Sequence, residues 1–269
     1  MIESDLDIEL LKRALSDCVI GRQIFHYGSL GSTMDEARSL AEQGAPEGTV
    51  VIAEEQTAGR GRFNRTWVSP HGQNLSFSVL LRPAPAQLPS MNMAATIAVA
   101  RAVASVTMLK TTVKWPNDVR IDGRKIAGIL IETAIEAGEV RHAIVGIGVN
   151  VNMDTSRFPE IASIATSIFN EIGSKADRTE ALRLILKNFD GLYRTVRDGG
   201  SLTQEWAAIL ETLGRTVQVR WHDQVIEGMA EAVDEQGNLI LKRPDGSTFT
   251  AVAGEVTFQG TANHSVSSI

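Results

Sequence analysis

The strongest constraint on the fold is a pair of apolar runs, residues 126–134 and 142–149, joined by the short segment Glu136-Ala137-Gly138-Glu139. A link that short returns the chain beside itself, so the runs are expected to pair as neighbouring strands. Both carry glycine in place of a packing side chain: Gly128 on the first, Gly146 and Gly148 on the second, with Asn150 just beyond. Glycine inside a strand marks a bend, or a place where a ligand or another backbone comes close. Two glycine-lined strands side by side would make a floor for a flat ligand. A barrel-like bend is the structural alternative.

Further strands and helices flank this hairpin. Residues 48–54 are a β-branched run and read as a buried strand, and Leu75, Phe77, Val79 and Leu81 alternate with Ser76, Ser78, Leu80 and Arg82 at the period of a strand. Residues 112–114 and 119–121 look extended, bent at Pro116, with Asp122-Gly123 as a turn. Leu6, Leu10, Leu11, Ala14 and Leu15 share one helix face. Thr33 with Glu36 reads as a capping box opening a helix that ends near Gly44. Pro89 starts an alanine-rich helix through Val106. Asp177 with Glu180 caps a helix whose apolar face holds Leu182, Leu186, Phe189 and Tyr193, and residues 201–213 form another. From Gly214 the chain turns to short strands at 216–221, 225–232, 238–241 and 248–252, with turns between them that include Asp223-Gln224. That is the spacing of a small antiparallel barrel of SH3 type. The expected organisation is a large unit over 1–213, the barrel over 214–259, and a frayed, disordered Ser/Thr/Asn-rich tail over 260–269.

Charge and composition narrow the function classes. With 26 Lys+Arg against 32 Asp+Glu the net charge is −6, which argues against a nucleic-acid binder that works through a basic face. Local basic loops in an acidic protein point to a small anionic ligand instead. Cys18 is the only cysteine, which fits a reducing cytoplasm, and the first seven residues are acidic rather than a basic signal segment. The apolar-leaning stretch 91–109 is broken by Asn92 and Arg101 and reads as a buried helix, not a membrane span. The histidines at 26, 71, 142, 222 and 264 form no HxxxH pair, so a zinc site has no support.

Two segments carry the chemistry. The first is Gln56-Thr57-Ala58-Gly59-Arg60-Gly61-Arg62, with Trp67 following. Its glycines let backbone approach an anion, its arginines add forked donors, and an indole supplies a stacking face. It is not a dinucleotide fingerprint, because position 64 is Asn and the residues that follow include Pro70 and Gly72 rather than a helix. Gly146-Ile147-Gly148 fails the same test at Val151, and no Gly-Lys dipeptide exists for a Walker loop. The second segment is Lys114-Trp115-Pro116-Asn117-Asp118, then Arg124-Lys125-Ile126-Ala127-Gly128. A lysine and an aspartate four apart on a bent strand can serve phosphate and Mg²⁺ together, since Mg²⁺ takes one or two carboxylates plus substrate phosphates. Read separately, the first segment is equally a mobile surface loop and the second a salt-bridged turn. Ser32 and Thr33 stand at a helix start, where they cap and can also meet a polar ligand head.

Together these segments resemble the biotin protein ligases. The resemblance runs from about Ile24 to Phe258 and rests on Gly31-Ser32-Thr33, Gln56 to Arg62 with Trp67, Lys114 to Asp118, Arg124 to Gly128, Gly146 to Asn150, and the small C-terminal barrel. It implies an α+β fold: a mixed, mostly antiparallel sheet packed with helices, like the class II synthetases, plus the SH3-like barrel. It also implies a two-step ligase. Biotin and Mg·ATP would give biotinyl-5′-AMP, and a lysine of a biotin carboxyl carrier domain would take the biotinyl group. Carried onto this sequence, Ser32, Thr33 and Gln56 would meet the ureido head, and Gly128, Leu130, Gly146 and Gly148 would line the pocket. Arg60, Arg62 and Lys125 would hold the carboxylate and α-phosphate as the catalytic charges, with Gly59 and Gly61 freeing the loop. Trp67 would stack on adenine, and Lys114, Asn117, Asp118 and Asn150 would serve phosphate and Mg²⁺, Asp118 as its carboxylate ligand. Preorganised donors of this kind are worth about 3–4 kcal/mol each when removed singly.

Two positions depart from the family pattern: Met34 stands where many relatives have Asn, and Asn64 where a loop glycine is frequent. The resemblance further implies a cytoplasmic enzyme of the kind without a DNA-binding domain, with no membrane or nucleic-acid partner, in a family whose members often pair as homodimers. The nearest rivals are a lipoate or octanoate ligase, and a sensor that binds biotinyl-AMP without transfer. The polar set Ser32, Thr33 and Gln56 favours a ureido ring over a dithiolane, and the intact charged set Arg60, Arg62, Lys114 and Lys125 favours an enzyme over a sensor.

Overall fold

The computed structural model describes residues 5–221 and 224–259. The expected tail at 260–269 and the Asp223 part of the expected turn lie outside the described residues, as does the side chain of Asn64. The larger part of the chain contains strands β1 (Gln23–Tyr27), β2 (Thr49–Ala53), β3 (Leu75–Leu81), β4 (Thr112–Lys114), β5 (Asp118–Ile121), β6 (Arg124–Glu136) and β7 (Glu139–Val149). They form one sheet in the order β1-β2-β3-β7-β6-β5-β4, with β1 and β2 parallel and every other neighbour antiparallel. Helices α1 (Ile8–Ala14), α2 (Thr33–Glu42), α3 (Ser90–Thr107), α4 (Ile168–Ile172), α5 (Arg178–Arg197) and α6 (Thr203–Ile209) surround it. Strands β8 (Thr216–Trp221), β9 (Gln224–Val233), β10 (Leu239–Lys242), β11 (Thr248–Ala251) and β12 (Glu255–Phe258) form a second, antiparallel sheet in the order β11-β10-β9-β8-β12. The mixed α+β architecture is the one expected.

The period-two pattern of the central strands divides the sheet into two unlike faces. Leu75, Phe77 and Val79 of β3, Val145, Ile147 and Val149 of β7, and Ala127 and Ile129 of β6 all enter the large core beneath α3 and α5. The alternate residues point the other way. There Leu80 and Ile144 pack with Met34, Ala37 and Ala41 of α2 in a smaller core, while Ser76, Ser78, Gly128, Gly146 and Gly148 occupy the positions between. One face is therefore built for packing, and the other is thinned by small residues.

Several local expectations need correction. The N-cap of α2 is Ser32, whose hydroxyl accepts from the Met34 amide; Thr33 is the first helical residue. Glu36 closes no box there, because its carboxylate accepts from the Tyr27 hydroxyl at 2.7 Å. The β6–β7 turn is the one read, but the strands run up to it, to Glu136 and from Glu139. Glu136 and Glu139 pair directly, leaving Ala137 and Gly138 at φ 52° and 82°, the conformation of a two-residue hairpin turn. Helix α6 stops at Ile209; Leu210 leaves it to bridge to Val113. Around α1, Leu6 before it, Leu11 within it and Leu15 just after it are buried, but Leu10 and Ala14 face outward. The small sheet has a fifth strand, β12, paired with β8, which the pattern of short strands did not reveal.

Candidate active site

The site lies on the thinned face of the sheet, where backbone register assembles a floor. Gly128 stands opposite Gly148, Leu130 opposite Gly146, Ser76 opposite Gly148 and Ser78 opposite Gly146. Cross-strand partners share a face, and so do residues two apart along a strand, so these positions form one continuous patch. A Cβ on Gly146 would stand 2.7 Å from the Met34 sulfur, and one on Gly148 would stand 2.3 Å from the Trp67 indole. Something does come close at these glycines, but it is the Met34 and Trp67 side chains rather than the ligand or backbone that the sequence reading named.

Polar groups gather at one end of the floor. Ser32 and Thr33 arrive there at the start of α2, and Gln56 at the end of β2. The Thr33 amide donates to Gln56 Oε1 at 2.9 Å, and the Thr33 hydroxyl lies 2.8 Å from the Ser78 hydroxyl. Ser76 and Ser69 form a second hydroxyl pair at 2.8 Å. Ser69, Ser76 and Ser78 were not singled out from the sequence as site residues. For Ser76 and Ser78 the signal was present in β3, polar at period two and in register with the glycines of β7; Ser69, outside that strand, had none.

Cations gather at the other end. Lys125 Nζ lies 2.7 Å from Asp118 Oδ1 and 5.5 Å from the Trp67 ring centre. A Cβ on Gly128 would meet the same ammonium at 2.9 Å, so Lys125 and Trp67 lie over one part of the floor. Arg62 donates to Asn117 Oδ1 at 3.2 Å and to the Gly254 carbonyl at 3.1 Å. Burial pulls the Arg62 guanidinium below its usual range, and also pulls the Lys114 ammonium below that of a free lysine. Lys114 sits 5.4 Å from the Phe258 ring, beside Arg120 and Arg215, which approach the same ring at 5.9 and 4.7 Å.

The Gly-Arg segment is a folded arm rather than an open loop. Trp67 N donates to Gly59 O at 2.9 Å, Gly61 N donates to Arg65 O at 2.7 Å, and Arg60 bridges Thr66. Arg60 grips Asp35 through both guanidinium nitrogens at 2.7 and 2.8 Å and touches Glu132 at 3.4 Å. The hydrogen bonds of Arg60 hold the Asp35 carboxyl below the ordinary carboxylate range. Arg60 therefore belongs to an ion cluster on α2 and β6, whereas Arg62 and Lys125 lie at the Asn117–Asp118 end. Asn117 and Asn150 are both buried and bonded within the protein. Asn117 donates to Ile129 O at 2.6 Å, and Asn150 donates to Thr166 O at 2.9 Å.

For a metal, the donor set is thin. Among the described residues no group of three or more His, Cys, Asp or Glu is placed to hold an ion. Asp118 offers one carboxylate, engaged by Lys125. A single carboxylate there fits a Mg²⁺ held mainly by nucleotide phosphates. Among the described residues no helix is long and apolar enough to cross a membrane.

Residues 29–150 match the Biotin/lipoate A/B protein ligase family, and residues 212–258 match the Biotin protein ligase C terminal domain. The chain is 37% identical over 233 residues to the bifunctional ligase/repressor BirA of Bacillus subtilis (strain 168), covering 85% of this chain and 72% of that protein. It is 33% identical over 237 residues to the biotin–[acetyl-CoA-carboxylase] ligase of Paracoccus denitrificans, covering 85% of this chain and 98% of the relative. Among solved structures, the biotin protein ligase from Aquifex aeolicus in complex with biotin and ATP superposes with a TM-score of 0.74 at 28% identity, covering 88% of this chain and 99% of that one. With two matching segments in the same order and relatives aligned along most of their length, the chain belongs to the biotin protein ligase family.

Proposed function

We propose that this chain, an ATP-dependent biotin ligase, works by dividing its floor between the two ends of biotin. The observation that carries the reading is the polarity of that floor: neutral donors and acceptors at Thr33, Gln56 and Ser78, and cations at Lys125 and Arg62. Biotin has the same polarity, with a ureido head and a carboxylate tail. Ser32, Thr33 and Gln56 read the head, joined by Ser78. Gly128, Leu130, Gly146 and Gly148 line the walls. A buried polar set of this kind penalises ligands that leave it unpaired.

In the first step a biotin carboxylate oxygen attacks the α-phosphorus of ATP. An O–P bond forms, the bond to the β-phosphate oxygen breaks, and pyrophosphate leaves with the electron pair. Lys125 and Arg62 offset the negative charge where the two anions meet, and Arg60 joins them once it exchanges Asp35 for the ligand. Lys114 serves the phosphates, together with Asn117, Asn150 and Asp118; Asp118 is also the one carboxylate offered to the Mg²⁺ that ATP brings. In the second step the amine of a carrier-domain lysine attacks the acyl carbon of biotinyl-5′-AMP. A C–N bond forms, the acyl–oxygen bond breaks, AMP leaves and the amine loses its proton. The acceptor in this reading is the biotin carboxyl carrier domain of a carboxylase.

The same proposal includes a catalytic unit over 1–213 and a small unit over 214–259, supported by the two separate sheets. It also includes work in the cytoplasm, supported by the lone cysteine, and pairing of two chains through a sheet edge; β1 is the edge for it, since residues 210–211 bridge the outer side of β4. The test is ATP–pyrophosphate exchange with purified protein, Mg²⁺ and biotin, lipoate or octanoate in separate reactions. Exchange with biotin is the expected outcome. Exchange with lipoate or octanoate alone would move the specificity to those acids, and no exchange with any acid would remove the catalytic roles given to Lys125, Arg60 and Arg62.

A further inference from the structure

The space that the three floor glycines leave is filled by protein. Trp67 is the main occupant. A Cβ on Gly148 would meet its indole at 2.3 Å (Cε2), 2.5 Å (Cζ2) and 2.6 Å (Nε1), and one on Gly128 would meet Cζ3 at 3.4 Å. The Met34 thioether covers Gly146 in the same way, with Sδ 2.7 Å away. The indole thus lies against β6 and β7 over the glycine floor, where a ligand would otherwise lie. Because Lys125 lies beside the same indole, the surface it covers is the cation end of the floor, where the tail and carboxylate of biotin would lie.

Trp67 is poorly served there as a polar group. Its Nε1 is buried and has no hydrogen-bond partner. A buried N–H left without an acceptor is unfavourable, so this cost offsets part of what the indole gains by packing on the sheet. What holds it is the arm that carries it. Arg60 is fastened to Asp35, Arg62 to Asn117 and the Gly254 carbonyl, and Arg65 to Glu255 at 2.5 Å. Two of these three fastenings use guanidinium groups that an incoming carboxylate or phosphate would also bind.

We infer that Trp67 is a built-in plug of the biotin floor, and that biotin enters by displacing its indole while its carboxylate competes for the arginines that fasten the arm. This rests on the reading of the floor as the biotin pocket. It adds a step that the reading does not contain: the site is closed by its own side chain until the arm releases. The ligand and the plug then cannot both occupy the Gly128–Gly148 surface, and the fraction of molecules with the plug out scales the apparent affinity.

The experiment is stopped-flow association of biotin, without nucleotide, to the wild-type chain, Trp67→Ala and Trp67→Phe, with each protein's fold checked by circular dichroism. Trp67→Ala is expected to associate about tenfold faster or more, because opening no longer precedes entry, whatever happens to its dissociation rate. Acrylamide quenching supplies the second readout, taken as the wild-type signal minus that of Trp67→Phe to isolate Trp67 from the other three tryptophans. Biotin is expected to make Trp67 more accessible. Unchanged or slower association in a folded Trp67→Ala, or a Trp67 that biotin shields or leaves unchanged, would overturn the plug while leaving the pocket in place. Failure of the wild-type chain to bind biotin in calorimetry would instead remove the pocket reading, and the plug with it.

Discussion

At the level of single residues, the site works by placing charges where burial alters them. Lys114 is the clearest case. Burial holds its ammonium below the ordinary lysine range, so its charge is present at lower pH and lost as pH rises through the lowered value. A bound phosphate favours the charged form and raises that value again, so nucleotide binding takes up protons on the alkaline side. ATP affinity is therefore expected to fall with rising pH sooner than for a solvated lysine. Lys114→Arg, which stays charged, should flatten that alkaline limb; calorimetry of ATP binding across the range in two buffers of different ionisation heat would check both points. The basic and glycine residues proposed for the site came from the sequence, since arginine, lysine and glycine in short motifs carry their meaning locally. Ser78 did not, because its significance comes from standing opposite Gly146 and beside the Thr33 hydroxyl. Nor could the motif show that Arg60 grips Asp35 rather than joining Lys125, because a side chain's partner is set by the elements packed around it.

Among the elements, the start of α5 is fastened to the sheet by a buried charge. Arg178, almost fully buried, donates to Glu54 Oε2 at 2.8 Å and to the Asn74 carbonyl at 3.0 Å, and its Nε donates to Asp5 at 2.7 Å. His26 Nε2 meets the other Glu54 oxygen at 2.7 Å. The cluster joins α5 and the segment before α1 to strands β1 and β2 and to the turn into β3. Breaking a buried pair from one side leaves a charge without its partner. Arg178→Leu is expected to cost about 3–5 kcal/mol of stability, measured as a shift of the urea midpoint, with no direct contact to the site to confound it. The helices and strands themselves were mostly evident from periodicity and caps. Their errors fall at boundaries, where local signals compete. Thr33 and Glu36 fit a capping box in sequence, but Tyr27 claims Glu36 and Ser32 does the capping. The fifth small strand, β12, alternates Val256 and Phe258 with Glu255 and Thr257, but it is only four residues long and its place is set by pairing with β8.

Across the whole molecule, the two sheets share one interior. Trp115 Nε1 donates to the Gly237 carbonyl at 2.9 Å, and a Cβ at Gly237 would lie 2.8 Å from Met93 and 3.2 Å from Trp206. Val217, Val219, Leu239 and Leu241 of the small sheet belong to the same core cluster as α3 and α5. Gly237 also has φ 77°, a conformation that a branched side chain resists. Gly237→Val is therefore expected to cost about 1–3 kcal/mol and to lower one shared calorimetric transition rather than split off a separate melt of the small sheet. Two separate transitions in the wild-type chain would contradict that common core. The sequence by itself determined the class of elements, the hairpin and its glycines, the change to short strands near 214, and which basic side chains stand in the Gly-Arg and Lys-Trp-Pro-Asn-Asp segments, because periodicity, turn chemistry and motif composition act over a few residues. Only the tertiary structure decided that the serines of β3 complete the floor, that Trp67 covers it, and that the arginines of its arm are fastened as far away as Gly254 and Glu255. Those contacts join residues up to 192 positions apart, and no local preference encodes a neighbour that only folding brings near.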